Sequence, residues 1–110
     1  MSLSSRILYD TIIISPPPHF DVRVQVDFQR ILAQAHKAGC RHVWFDFQKV
    51  VCIDSSGLGM VFLASHQVRQ KGGRVWILGA RESIRVLLER ADLLSVVNIV
   101  GFGQETRPAA

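Results

Sequence analysis

The stretch Ile53-Asp-Ser-Ser-Gly-Leu-Gly-Met60 concentrates the residues that could do chemistry in this 110-residue chain. Two hydroxyls, Ser55 and Ser56, follow a carboxylate and precede two glycines, directly after the apolar run Val50-Val51-Cys52-Ile53. A nucleophilic serine on a strand-to-helix elbow needs G-x-S-x-G, because glycine two places upstream permits the strained turn. Ile53 stands two places before Ser55 and Asp54 two before Ser56, so that pattern fails. No histidine is compellingly placed as a base: His36 and His42 flank Gly39, His19 follows three prolines, and His66 falls late in a helical segment. A dinucleotide fingerprint requires a third glycine after Gly57 and Gly59, at position 62, which is Phe. The G-x-x-x-x-G-K-[ST] phosphate loop, paired carboxylates and metal-ligand clusters are absent from the sequence. The chain therefore reads as non-enzymatic, with no catalytic residue, metal or cofactor expected.

What remains is a hydroxyl pair where a strand gives way to a helix. Asp54 or one of the serines can cap that helix by accepting a bond from an orphan amide, worth about 1 kcal/mol. Gly57 and Gly59 would let the helix approach the sheet closely. The same position also suits a phosphorylated hydroxyl, because free amides and the positive end of a helix dipole tolerate a phosphate.

The elements that must position these residues follow from periodicity. Arg6 to Ser15 reads as strand, with a hairpin turn near Tyr9-Asp10, and Pro16-Pro17-Pro18 ends it because proline cannot donate to a ladder. From Val22 to Ala38 apolar residues recur at helical spacing (Val24, Phe28, Ile31, Leu32, Ala35), and Gly39 supplies a stop. His42 to Phe47 is a strand. A second helix is expected from about Ser56 to Lys71, with Leu58, Val61, Phe62, Ser65 and Val68 on one face and Gly72-Gly73 closing it. Arg74 to Leu78 is a strand with little polar content, the pattern of one covered on both faces. A third helix spans about Glu82 to Arg90, with Ile84, Leu87 and Leu88 inward, and Val96 to Val100 is a last short strand. Strand and helix alternate from residue 22 onward, which calls for a mostly parallel sheet with crossover helices packed on it. Ligands and partners of such sheets gather at the carboxyl ends of the strands, where Asp54-Ser55-Ser56 falls.

Apolar residues make up 48% of the chain and charged residues 20%, which fits one ordinary globular domain over residues 1–110. Residues of about 6–100 are expected to form the ordered core and 101–110 a flexible tail. No apolar run is long enough to span a bilayer. Met1-Ser2-Leu3-Ser4-Ser5 lacks a basic region leading into an apolar core, so no secretory signal is expected and the cytoplasm is the expected location. Cys40 and Cys52 lack ligand spacing and are expected to be buried free thiols. The net charge of +4 raises the question of nucleic acid, but the basic residues are scattered and not interleaved with aromatics, so direct nucleic-acid binding is not expected.

Asp54-Ser-Ser-Gly-Leu-Gly59 after an apolar strand, followed by a helix closing at Lys71-Gly-Gly73 and the strand Val75-Trp-Ile-Leu78, resembles the STAS domain. More narrowly it resembles the bacterial anti-sigma factor antagonists, over roughly residues 6 to 100. The resemblance implies an α/β fold, a small mixed and mostly parallel sheet of four or five strands with helices mainly on one side. It also implies that Ser55, the first serine of the motif, is phosphorylated by a partner that is both anti-sigma factor and serine/threonine kinase, and is reset by a PP2C-type phosphatase. The unmodified form would sequester that partner and free a sigma factor. Asp21 in Pro18-His-Phe-Asp21 matches an aspartate near the family's binding surface, and Asp54, Ser56, Gly57, Leu58 and Gly59 match its helix start. Met60 and Leu63 are expected contacts on the outer side of that helix. Where the family usually has glycine three places before that aspartate, this chain has Pro18, whose fixed φ is expected to reshape the loop at Asp21. Two rival readings accompany this one: a STAS interaction module outside sigma-factor control, in a lipid-transport complex or a surface-behaviour signalling pathway, and a small hydrolase using Ser55 or Ser56.

Overall fold

A hairpin opens the structure, a computed structural model describing residues 3–100. Strands β1 (Ser4–Leu8) and β2 (Thr11–Ser15) pair antiparallel with Leu8 opposite Thr11, and the chain turns at Tyr9, which takes the left-handed φ of 58°. The hairpin turn falls where the sequence placed it. Residues 101–110, where a flexible tail is expected, lie outside the described residues.

From β2 onward every new strand of the main sheet is parallel to its neighbour. β2 pairs with β4 (His42–Asp46), β4 with β6 (Val75–Leu78) and β6 with β7 (Asn98–Val100), in the order β1-β2-β4-β6-β7. Parallel neighbours need long crossovers, supplied here by α1 (Gln25–Lys37), α2 (Ser55–Arg69) and α3 (Glu82–Arg90). Two further short strands, β3 (His19–Phe20) and β5 (Cys52–Ile53), form a separate parallel pair, and each leads directly into the helix that follows it in the chain. This is a mixed, mostly parallel α/β sheet, as expected.

Strand alternation decides which face the helices cover. Ile12, Val43 and Val75 share one register row, Ile14, Phe45 and Ile77 another, and all six are buried. Phe28, Ile31, Leu32 and Ala35 of α1, Met60, Val61, Ala64 and Val68 of α2, and Ile84 and Leu88 of α3 complete that core. On the opposite face Ile13, Trp44 and Trp76 stand in one row and are only half-buried, with the two indoles 5.6 Å apart. The apolar run of β6 therefore does not mean cover on both faces: one side lies under the helices, and the other is shielded by the row of its own large side chains. Leu87, expected inward on α3, is likewise half-buried.

Helix α1 starts later than its periodicity suggested. Asp21 opens a single 3-10 turn, Val22–Val24, before the α-helical ladder begins at Gln25. Gly39, at φ 82°, ends the helix, and the next amide, Cys40 N–H, reaches back to the Ala35 carbonyl. Cys40 is buried as expected, and that burial pushes its thiol pKa up. Cys52 is exposed, against expectation, because β5 is half of a two-strand ribbon and, of its two residues, Ile53 is the one that packs against the core.

Candidate functional site

Two parallel strands, each ended by an aspartate that caps the next helix, build the region around Ser55. In the β3–β5 pair His19 lies opposite Cys52 and Phe20 opposite Ile53. The backbone stays extended for one more residue on both chains, at Asp21 (φ −144°, ψ −167°) and at Asp54 (φ −113°, ψ −172°), before each turns into a helix. Asp21 and Asp54 thus each follow the last paired residue of the ribbon and leave it at the same end. Phe20 fixes the depth of this unit: it is fully buried, with its ring 6.4 Å from Phe28, 6.2 Å from Phe45 and 5.8 Å from Phe47.

Each aspartate satisfies an amide that would otherwise be orphaned. Asp54 Oδ1 accepts from Gly57 N–H at 2.9 Å, and its carbonyl accepts from Leu58 N–H. Asp21 Oδ1 accepts from Arg23 N–H at 3.0 Å, and its carbonyl accepts from Val24 N–H. Asp21 also holds the Arg23 side chain, with Nε at 3.0 and 3.2 Å and Nη2 at 2.8 Å from its carboxylate oxygens. Those hydrogen bonds keep the Asp21 carboxyl at about 2, well below its ordinary 3.8, and raise the Arg23 guanidinium in turn. The Arg23 cation also feels Asp54, and Asp21 feels His19, so all four groups share one electrostatic neighbourhood. The triproline segment serves this geometry: the Pro18 carbonyl accepts from both Val51 and Cys52 N–H, locking the β3 and β5 strands together.

Ser55 is exposed as the first residue of α2, and Ser56 behind it is half-buried. Among the described residues no histidine bonds to Ser55; the ring nitrogens of His42 and His66 meet Arg74 N–H and the Gln70 side chain instead. No three of His, Cys, Asp and Glu gather as a metal site among the described residues. A cavity of ≈ 170 Å³ lined by Pro17, His19, Arg23 and Val24 opens beside Asp21.

The other positions singled out in the motif separate into two sides of α2. Gly57 is buried where a Cβ would stand 2.3 Å from the Phe20 carbonyl oxygen and 2.6 Å from Ile53 Cγ1, so only glycine fits. Leu58 is half-buried, whereas Gly59 is exposed with nothing within 4 Å of a Cβ, so it plays no part in close approach to the sheet. Leu63 is 41% exposed, as an outer contact requires. Met60 is not on the outer side: it is 2% exposed, in the inward stripe Gly57, Met60, Val61, Ala64, Ser65 and Val68. The helix is rotated by about one residue from the face its larger apolar residues suggested, which turns Phe62 outward at 51% exposure. The small residues Gly57, Ala64 and Ser65 were the signal for the tight side, since a helix pressed on a sheet puts its smallest side chains at the contact.

Sequence reasoning missed several residues of this surface. Arg23 was one of many scattered cations until the fold brought it to Asp21. Val22 (57% exposed) and Val26 (77% exposed) project from the start of α1, beside α2, whose Gln67 reaches the Leu32 carbonyl of α1. Phe62 and Leu63 add exposed apolar area on α2, about two turns from its start. No helix among the described residues is long and apolar enough to cross a membrane.

Known structures share this architecture. The anti-sigma factor antagonist SpoIIAA in its unphosphorylated form matches with a TM-score of 0.76 at 15% identity, over 94% of this chain and 91% of its own. The phosphorylated form of the same Bacillus cell-fate determinant matches with 0.75 at 16% identity, over 94% and 93%. An anti-sigma-factor antagonist (STAS) domain protein from Planctomyces limnophilus matches with 0.77 at 15%, over 96% and 94%. A sulfate transporter family protein from Wolinella succinogenes matches with 0.69 at 13%, over 82% and 73%. At these identities the structural likeness speaks for the fold, and the sequence itself matches the STAS domain pattern over residues 4–104. The chain belongs to the STAS domain family.

Proposed function

We propose that this protein is an anti-sigma factor antagonist, a binding protein rather than an enzyme, switched by phosphorylation of Ser55. In its unmodified form it sequesters an anti-sigma factor that is also a serine/threonine kinase, and so frees a sigma factor. The kinase transfers the terminal phosphoryl group of ATP to Ser55: the Oγ–P bond forms, the bond to the ADP oxygen breaks and the hydroxyl proton leaves. A PP2C-type phosphatase hydrolyses the ester and resets the protein. The observation that carries this reading is the exposed Ser55 hydroxyl at the first turn of α2, beside an Asp54 already committed to the cap, on a helix that also exposes Phe62 and Leu63 about two turns further on. Asp21, Ser56, Leu58 and Gly59 complete the proposed docking surface, with Gly57 and Met60 supporting it from beneath.

A phosphate adds about −1.5 to −2 charges directly beside Asp54. Desolvating that charge in an interface, next to a like charge, at a penalty of ~3 kcal/mol weakens binding by on the order of a hundredfold. No unfolding is needed for that outcome. Phosphate mapping by mass spectrometry, on the tryptic peptide that follows Lys49 and ends at Arg69, tests the modification in cells. Ser55→Asp and Ser55→Ala binding to a purified partner kinase test the switch, with Ser55→Asp expected to bind on the order of a hundredfold more weakly. A partner that binds Ser55→Asp as tightly as the parent, with Ser55 unmodified in every growth condition, would refute it.

The similarity to a sulfate transporter family protein favours one second reading, a STAS module that docks constitutively outside sigma-factor control. That reading predicts stable partner binding indifferent to Ser55→Asp.

A further inference from the structure

The fold holds a cation, Arg23, on Asp21 and within electrostatic reach of Asp54, the residue before Ser55. The β3–β5 register ends at Phe20 opposite Ile53, Asp21 and Asp54 are the next residues on the two chains, and the helical turns that hold Arg23 and Ser55 open directly after them. The Arg23 side chain is 70% exposed and is turned back onto Asp21 by its Nε edge. That grip uses Nε–H and one Nη2 hydrogen, two of the five donors of a guanidinium, and leaves both Nη1 hydrogens and the second Nη2 hydrogen free. A planar fork with an open edge is the geometry that takes two oxygens of a phosphate at once.

We infer that Arg23 is the intramolecular receptor for a phosphate on Ser55, and that Asp21 is the positioning residue that holds its guanidinium ready. The inference rests on phosphoserine at Ser55, the modification proposed above, but concerns what this chain does with it. Without a cation, phosphorylation would leave the phosphate next to the Asp54 carboxylate with nothing to offset the like charge. With Arg23 bridging Asp21 and the phosphate, the ester is bound to the protein's own surface. The bridge ties the 3-10 turn at the start of α1, where Val22 is exposed, to the first turn of α2. The modified form is then a second ordered arrangement of the docking surface, not merely the first arrangement with added charge.

The test installs phosphoserine at position 55 during translation, by an expanded genetic code, in the full chain, so that no kinase is required. The second phosphate pKa is followed by ³¹P NMR in the parent, Arg23→Gln and Arg23→Lys, together with the Arg23 Nε–H signal with and without the phosphate. A cation in contact stabilises the dianion, so the parent's phosphate pKa is expected about half a unit below that of Arg23→Gln. Arg23→Lys falls between them, because it restores the charge without the fork, and the Arg23 Nε–H signal moves on phosphorylation. Equal pKa values in the parent and Arg23→Gln, or an Arg23 signal indifferent to the phosphate, would overturn the inference. Arg23 is exposed and both variants are checked against the parent amide spectrum; if Arg23→Gln is perturbed, the Lys variant and the Arg23 signal decide. An Arg23-dependent pKa in a protein whose Ser55 is never modified in cells supports the receptor and removes the switch.

Discussion

Replacing Gly57 and Gly59 by alanine, one at a time, should move stability in opposite directions, although the two sites lie two residues apart in one helix. In an exposed helix interior the exchange stabilises by up to about 1 kcal/mol, because alanine loses less backbone entropy. Gly59 meets that condition, since nothing lies within 4 Å of its added Cβ. At Gly57 the new methyl would sit 2.3 Å from the Phe20 carbonyl oxygen and 2.6 Å from Ile53 Cγ1, roughly an ångström inside van der Waals contact. The carbonyl cannot yield cheaply, because Phe20 is wedged among Phe28, Phe45 and Phe47. Overpacking of this kind costs about 1–3 kcal/mol, so after a propensity gain of about 1 kcal/mol a net loss of up to about 2 kcal/mol remains. The propensity gain is common to both, so the two variants should differ by the overpacking cost, about 1–3 kcal/mol, in urea unfolding at unchanged m value. Gly57→Ala should also loosen the Asp54 cap, visible as faster hydrogen exchange at the Gly57 and Leu58 amides. If both variants are stabilised, the close seating of α2 against Phe20 is wrong, and with it the juxtaposition of Asp21 and Asp54.

The other expectations separate the two sides of α2 and the charge at Asp21. Met60→Ala should cost about 2–4 kcal/mol by leaving a cavity, whereas Phe62→Ser should stay within about 0.5 kcal/mol in unfolding yet weaken partner binding; the reverse order of stabilities would restore Met60 to the outer face. Asp21→Asn keeps a capping side chain and removes the charge that Arg23 stabilises. Because the folded carboxyl lies at about 2 and its ordinary value is 3.8, the stabilisation is complete above about 3.8 and disappears as pH falls through about 2. Parent and Asp21→Asn should thus differ at neutral pH by an amount that vanishes near pH 2 in paired unfolding curves; a gap persisting at pH 2 would assign the effect to something other than the carboxylate.

Local chemistry alone determined much of this protein. The hairpin turn at Tyr9-Asp10, the stop at Gly39, the inward residues of α1 and the Asp54 cap each follow from a turn preference or a period within one segment. So did the strand–helix alternation, and with it a mostly parallel sheet whose strand ends gather the functional residues. The rotation of α2 was not legible in that way, because its apolar residues nearly encircle the helix and periodicity could not choose between Met60 and Phe62. Contact with the sheet made the choice, placing the smallest residues, Gly57, Ala64 and Ser65, where α2 comes closest to other elements. The site itself was decided almost wholly by tertiary structure. β3 and β5 are two residues each, too short to carry a period, and they pair across a long stretch of chain. Only that pairing brings the Asp21 and Asp54 caps to the same end of one ribbon and exposes Cys52, and it leaves Arg23, one cation among many, bound to Asp21 and within electrostatic reach of Asp54.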